Sequence, residues 1–377
     1  MFFHFVKKGD NLYDLSKKYD VDLQTIINNN SLINPEDLVV NQCLLINDGM
    51  NNNNRNSKVF NGYAYEFSSI KSVERALPYL TYLSIFSYRV NENGDIDNIN
   101  DDKLISLAKQ YDVKPIMVIT NSKIKGGFSP DIASDILNDQ NKITNLFKNI
   151  EKVLSEKGYY GLNIDFEYIK PTDKEKFINF VQQADKYFRT KKYYLSIALA
   201  PKNSDEQKGL LYESHDYEKL SQYVDNVILM TYEWGYTYGP AMAVAPVNEV
   251  KKVLDYATSN MERNKIIMGI PNYGYDFIVP YVKNQKAKSI TNPQAIVIAY
   301  ENHVSIKRNK LSMTPYFTYK NDGKEHEVHF DDPCSIEEKL SLIDEYGIAG
   351  GSIWTISNYV EYIYLLINNG YLVKKII

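Results

Sequence analysis

The segment GLNIDFEY, residues 161–168, carries an amide and two carboxylates at alternate positions. Side chains along a strand point to opposite faces in turn, so Asn163, Asp165 and Glu167 share one face. Leu162, Ile164 and Phe166 take the other. Asp165 and Glu167 then lie about 7 Å apart along the strand. A carboxyl beside a second acid and partly withdrawn from water is disfavoured in its charged form. Glu167 is thereby kept protonated near neutral pH, as a general acid must be. The competing reading is a structural ion-pair network, which perturbs pKa values in the same way.

Such a strand needs neighbours to position it. Eight segments rich in Val, Ile, Tyr and Phe read as strands: 60–67, 81–88, 115–120, 161–168, 194–200, 227–233, 266–273 and 350–357. Helical patterns lie between most of them. Ser129-Pro130 places proline in a first helical turn, and Val247, Val250, Leu254 and Ala257 form an apolar stripe. Thr172–Glu175 and Ser335–Glu338 have the spacing of capping boxes. Eight strands alternating with helices predict an α/β fold, a (β/α)8 TIM barrel. An open doubly wound sheet lacks its glycine-rich phosphate loop here. In the barrel the polar face of residues 163–167 points inward, and Glu167 reaches the C-terminal rim, where barrel active sites form. Tyr63, Phe86 and Tyr273 fall at predicted strand ends and are expected to contact substrate. Residues 276–330 break the alternation, with an Asn321-Asp322-Gly323 hairpin turn, and read as a small α+β insertion between strands 7 and 8.

Ahead of the barrel, residues 49–58 (GMNNNNRNSK) cannot build a core and read as a linker. They separate a module at 1–48 from a body at 59–377. The module has the order strand, helix, helix, strand, with a turn at Gly9 and Asp10 and a helix cap at Asp22.

Lys and Arg number 43 against 47 Asp and Glu, a net charge of −4, so nothing favours nucleic acid as a partner. No apolar run approaches the ~18 residues of a membrane span, and the N-terminus lacks the pattern of a secretory signal. The two cysteines, Cys43 and Cys334, are far apart and are expected as free thiols. His326 and His329 have no third ligand nearby, so no metal is expected. Tyrosine is abundant, at 32 against 15 Phe, which suits half-wet surfaces that meet sugars or proteins. Genomic bias accounts for part of that surplus, since Asn, Lys and Ile are also frequent.

Two resemblances sharpen this reading. Residues 6–12 (VKKGDNL), 28–32 and 38–46 (LVVNQCLLI) resemble a LysM repeat, a βααβ module that binds N-acetylglucosamine-containing glycans. The resemblance implies a ligand groove at Gly9, Asp10, Asn11 and the stretch from Asn30 to Ile33. Asn41 replaces the usual glycine and tolerates the positive φ of its turn. The 161–168 segment resembles the signature of family 18 glycoside hydrolases, with Tyr160 and Asn163 in place of two of its aspartates. Asn163 can still hydrogen-bond Asp165 but cannot share a proton with it. Met230-Thr231-Tyr232-Glu233 is similar to that family's Met-x-Tyr-Asp segment, with Glu233 replacing Asp. Gly351-Ser352-Ile353-Trp354 is similar to its last strand. The family resemblance implies substrate-assisted hydrolysis, in which the sugar's 2-acetamido group is the nucleophile. It assigns proton transfer to Glu167, acetamide orientation to Asp165 and Tyr232, and the sugar floor to Trp354. No cofactor is needed.

The run from Met230 through Pro246 is similar to the spore cortex fragment-lysing N-acetylglucosaminidases. That similarity implies peptidoglycan as partner, a retaining endo-β-N-acetylglucosaminidase activity, a monomer, and a place in the spore reached without a classical signal peptide. A chitinase and a non-catalytic chitinase-like lectin on the same scaffold are the alternatives. Intact Asp165 and Glu167 argue against the lectin.

Overall fold

The computed structural model describes residues 1–36, 38–47 and 55–376. Most of the expected linker, residues 49–54, lies outside them. The module pairs strand β1 (Phe2–Phe5) antiparallel with β2 (Cys43–Ile46). Two helices, Leu12–Tyr19 and Leu23–Asn29, pack on this hairpin through Leu12, Leu15 and Ile26. Each helix starts on a side chain that accepts a backbone N–H: Asn11 from Asp14 and Asp22 from Thr25. Such caps contribute about 1 kcal/mol each. The first cap is thus Asn11, one residue beyond the expected helix start. Asn41 has φ +67°, as the turn before β2 demands.

The body opens with β3 (Asn56–Tyr65), which begins inside the stretch assigned to the linker. Strands β4 (Tyr82–Arg89), β5 (Lys114–Thr120), β6 (Gly161–Asp165), β7 (Tyr194–Leu199), β8 (Asn226–Leu229) and β9 (Ile266–Pro271) follow, each parallel to the last. An insertion then forms a five-stranded antiparallel sheet from β10 (Gly274–Val279), β11 (Lys288–Ile290), β12 (Lys307–Arg308), β13 (Pro315–Asn321) and β14 (Lys324–His329). The hairpin between β13 and β14 turns at Asp322 and Gly323, as expected. One helix, Asn292–Glu301, covers this sheet through Ala295 and Ala299. Strand β15 (Gly350–Trp354) returns to the barrel and pairs with both β9 and β3, closing it at eight strands. A short β16 (Tyr371–Val373) adds to the outside of β3.

The alternation of each strand sorts its residues. Leu162, Ile164 and Phe166 face outward into the helix layer and are fully buried. The interior holds Val59, Ile116, Val118, Ile228 and Ile267. Above them runs a polar chain: Ser84 donates to Asn61, Asn61 to Ser352, Tyr63 to Asn163 and Asn163 to Ser196. Every member is buried and bonded, which is what lets amides occupy a barrel interior.

Both expected capping boxes move. Thr172 lies in a short 3-10 turn, and the helix Lys174–Arg189 starts after Asp173 without a side-chain cap. Helix Pro333–Glu345 is capped one turn earlier, where Asp332 and Ser335 form a reciprocal box. In the second region Pro333 takes the first helical position and sets the start at Asp332, because proline needs no N–H partner there.

The cysteines correct the sequence reading. Cys43 and Cys334 form a disulfide, with Cα atoms 6.4 Å apart across 291 residues of sequence. Folding brings β2 of the module against the 333–345 helix of the barrel, so distance in sequence said nothing of distance in space. Polar contacts reinforce the seam. Ile306 N–H donates to Val40 O, Asn41 Nδ2 to Ile306 O, and Glu361 N–H to Ser31 Oγ.

Candidate active site

The C-terminal rim of the barrel opens into a cleft of about 790 Å³. Tyr63, Phe86, Asp165, Glu167, Met230, Tyr232, Glu233 and Trp354 all line it. Eight residues chosen from motifs and strand ends therefore converge on one surface. Asn163 lies directly beneath, fully buried, with its side chain committed to Tyr63 at 3.1 Å and Ser196 at 2.9 Å. The expected bond from Asn163 to Asp165 is not made. Instead, Oδ1 of Asp165 is buried without a hydrogen-bond partner.

Glu167 does not sit on the strand as expected. Strand pairing stops at Asp165, and side chains hold the next two peptides. His215 Nδ1 accepts from Ala200 N–H at 2.8 Å, so its Nε2 carries the proton and donates to Phe166 O at 3.0 Å. Burial lowers this imidazole to about 4, keeping it in the neutral form that the two bonds need. Asn121 then grips Glu167 itself. Its Oδ1 accepts from Glu167 N–H at 3.0 Å, and its Nδ2 donates to Glu167 O at 2.8 Å and to Ser129 O at 2.9 Å. Neither Asn121 nor His215 belongs to a motif; Asn121 directly follows β5, whereas His215 lies in the long connection after β7, just before the helix Tyr217–Ser221.

Burial pushes the Asp165 carboxyl up to about 7. Glu167 is driven well above the usual carboxylate range, first by burial, then by the charges of Asp165 and Glu233. Glu167 still keeps partial solvent access at the rim. Both carboxyls thus hold their protons above the ordinary carboxylate range, as a proton donor working near neutral pH requires. Glu233 is raised as well by burial, opposed by hydrogen bonds from Tyr273 and, at 3.1 Å, Tyr275. Tyr273 thus stands behind Glu233 rather than in the cleft wall.

Aromatic rings form the floor. Trp354 packs against Phe86 at 5.0 Å, Tyr63 at 5.2 Å and Tyr65 at 5.9 Å, and lies nearly parallel to Tyr232 at 6.3 Å. Gly269 makes room for the Tyr232 ring: a Cβ there would meet it at 2.6 Å. Tyr168, Tyr212 and Tyr236 extend the cleft outward. Of these, Tyr168 ends the 161–168 segment and Tyr236 lies in the run from Met230 through Pro246, while Tyr212 belongs to neither.

The module's residues lie apart from this cleft. Gly9 and Asn11 are exposed, Ile33 is half exposed, and Asp10 is fixed by Lys7 N–H and His4. Asn30 is different: its amide exchanges hydrogen bonds with both backbone groups of Leu45 and is buried. It ties the second helix to β2.

Known proteins bear out this architecture. The Glycosyl hydrolases family 18 profile matches residues 53–358, and that of the LysM domain matches residues 4–47. The chain is 36% identical to a cortical fragment-lytic enzyme of Bacillus anthracis, over 98% of each chain. It is 36% identical to the enzyme of that name from Bacillus subtilis, over 81% of this chain and 71% of the other. The crystal structure of the spore cortex-lytic enzyme SleL of Bacillus megaterium superposes with a TM-score of 0.93, at 31% identity, covering 100% of this chain and 99% of that one. With the fold, the cleft and these matches in agreement, the chain is a member of glycosyl hydrolase family 18 that carries a LysM domain.

Proposed function

We propose that the protein is a retaining endo-β-N-acetylglucosaminidase that cuts spore cortex peptidoglycan, with the LysM domain holding the glycan. The observation that carries this reading is the pair of buried acids, Asp165 and Glu167, raised in pKa above a floor of Trp354 and Tyr232. In it, Glu167 protonates the glycosidic oxygen and later takes a proton from water. Asp165 orients the nitrogen of the substrate's 2-acetamido group, whose oxygen attacks the anomeric carbon. Tyr232 holds that oxygen by its hydroxyl, and Trp354 stacks beneath the apolar face of the sugar. Asn163, through Tyr63 and Ser196, keeps the strand beneath Asp165 in place. Met230, Phe86 and Tyr63 complete the sugar-facing wall. In the LysM domain, Gly9, Asp10, Asn11 and Ile33 are the glycan-contacting positions. Cortex as substrate, and the spore as location, rest on the likeness to cortical fragment-lytic enzymes over nearly the full chain.

The test is product analysis. Purified protein incubated with cortex fragments is expected to leave N-acetylglucosamine at each new reducing end, with its anomeric configuration retained. N-acetylmuramic acid at that end would refute the assignment. Glu167→Gln is expected to remove nearly all turnover while glycan binding persists; surviving turnover means that another group supplies the proton.

A further inference from the structure

The cleft is lined by acids and carries no cation of its own. Asp165, Glu167, Glu233 and Glu249 face it, and none of the described lining residues is Lys, Arg or His. Of the cations flanking lining positions, Lys202 is buried, Lys208 sits 3.7 Å from Glu213, and Lys252 is paired with Glu249 at 2.8 Å. Nothing in that lining offers a counter-charge to a negatively charged substrate.

One rim element does. Residues 122–128 form a tight hairpin after β5, bridged between Ser122 and Phe128 and closed by Lys123 N–H to Gly127 O at 3.2 Å. Gly127 and Phe128 line the cleft, while Lys123, Ile124 and Lys125 are exposed. Among the described residues neither ammonium has an ion-pair partner; Asp131, which feels the charge of Lys123, is already bound to Lys170 at 2.7 Å. The hairpin is also anchored to the chemistry. Asn121, at its base, bonds Ser129 across the hairpin and both backbone groups of Glu167.

We propose that Lys123 and Lys125 recognise a carboxylate carried by the glycan, and so distinguish an acid-bearing strand from a neutral one. Peptidoglycan bears such groups on its stem peptides and on lactyl ethers that carry no peptide, whereas chitin bears none. The inference rests on the proposed function and names the residues that select its substrate. They are specificity residues beside the acid pair and take no part in bond breaking.

The test compares one soluble peptidoglycan tetrasaccharide in two forms, with its carboxyls free and with the same carboxyls amidated. The readout is the ratio of kcat/KM for the two. Exposed ion pairs are weak, so Lys123→Gln/Lys125→Gln is expected to lower that ratio about two- to tenfold, chiefly through KM. Lys123→Glu/Lys125→Glu is expected to lower it further. Added salt at about 0.5 M is expected to shrink the wild-type ratio toward that of the variant, because screening shortens the reach of exposed charge. A ratio that neither substitution nor salt changes overturns the inference while leaving the glucosaminidase reading intact. Cleavage of neither form by the unmodified protein removes both.

Discussion

Replacing Asp165 by Asn makes the strongest demand on the physical picture. Asp165 is only 4% exposed, and one of its carboxylate oxygens has no hydrogen-bond partner. Burial moves it from the ordinary 3.8 to about 7. The folded chain therefore binds this proton more tightly than the unfolded chain does. Stability from this group is full below the unfolded value near 4, falls as pH rises, and is exhausted once pH passes about 7. Three pKa units correspond to at most about 4 kcal/mol. Asp165→Asn removes the ionisation and with it the decline. Urea unfolding of both proteins at intervals from pH 4 to pH 8.5 is the assay. The variant is expected to match the wild type near pH 4 and to exceed it by about 2 to 4 kcal/mol above pH 7, while turnover collapses. A stability difference that stays constant across the pH range would show that the carboxylate is not held against its solvation, and the account of the site would fail.

Three further outcomes follow from the same geometry. Asn121→Ala leaves Glu167 N–H, Glu167 O and Ser129 O without this partner, so a loss of about 2 to 4 kcal/mol in stability is expected. Its kcat should fall about tenfold to a hundredfold with KM little altered, as steady-state kinetics would reveal. Trp354→Phe keeps an aromatic floor of smaller area; kcat/KM on glycan fragments should drop by up to about tenfold, with the melting temperature nearly kept. Cys43→Ser/Cys334→Ser opens a closure spanning 291 residues. Its urea midpoint should fall by the equivalent of about 2 to 5 kcal/mol, while cleavage of small soluble fragments continues at the wild-type rate.

Much of this was legible in the sequence because it was written as local period. Alternation along 161–168 separated Asn163, Asp165 and Glu167 from Leu162, Ile164 and Phe166, and the barrel keeps that division. The eight strands and the insertion were visible as runs of β-formers punctuated by turns. What escaped is non-local. Cys43 meets Cys334 only after the module docks, and no spacing encodes that. Asn121 and His215 bond backbone atoms of residues 46 and 49 positions away, and a lone Asn or His has no pattern to read. Nor could the sequence show that the amide of Asn30, a position drawn from the LysM resemblance, bonds both backbone groups of Leu45. The capping boxes shifted because Pro333 set one helix start at Asp332 and the 3-10 turn Pro171–Asp173 took up Thr172.

The seam between the LysM domain and the barrel changes how its contribution to binding should be reckoned. A module on a free tether raises local ligand concentration over every direction its linker permits. Here Val39 is packed in the insertion's core, Leu45 in the barrel's, and Cys43 is bonded to Cys334. Linker length then drops out of the reckoning, and the two glycan surfaces keep one fixed bearing to each other. A strand that engages both must already curve along that bearing; any other strand gains nothing from the second surface. Under the proposed function, the fold would therefore select its polymer by the path of the strand as well as by its sugars.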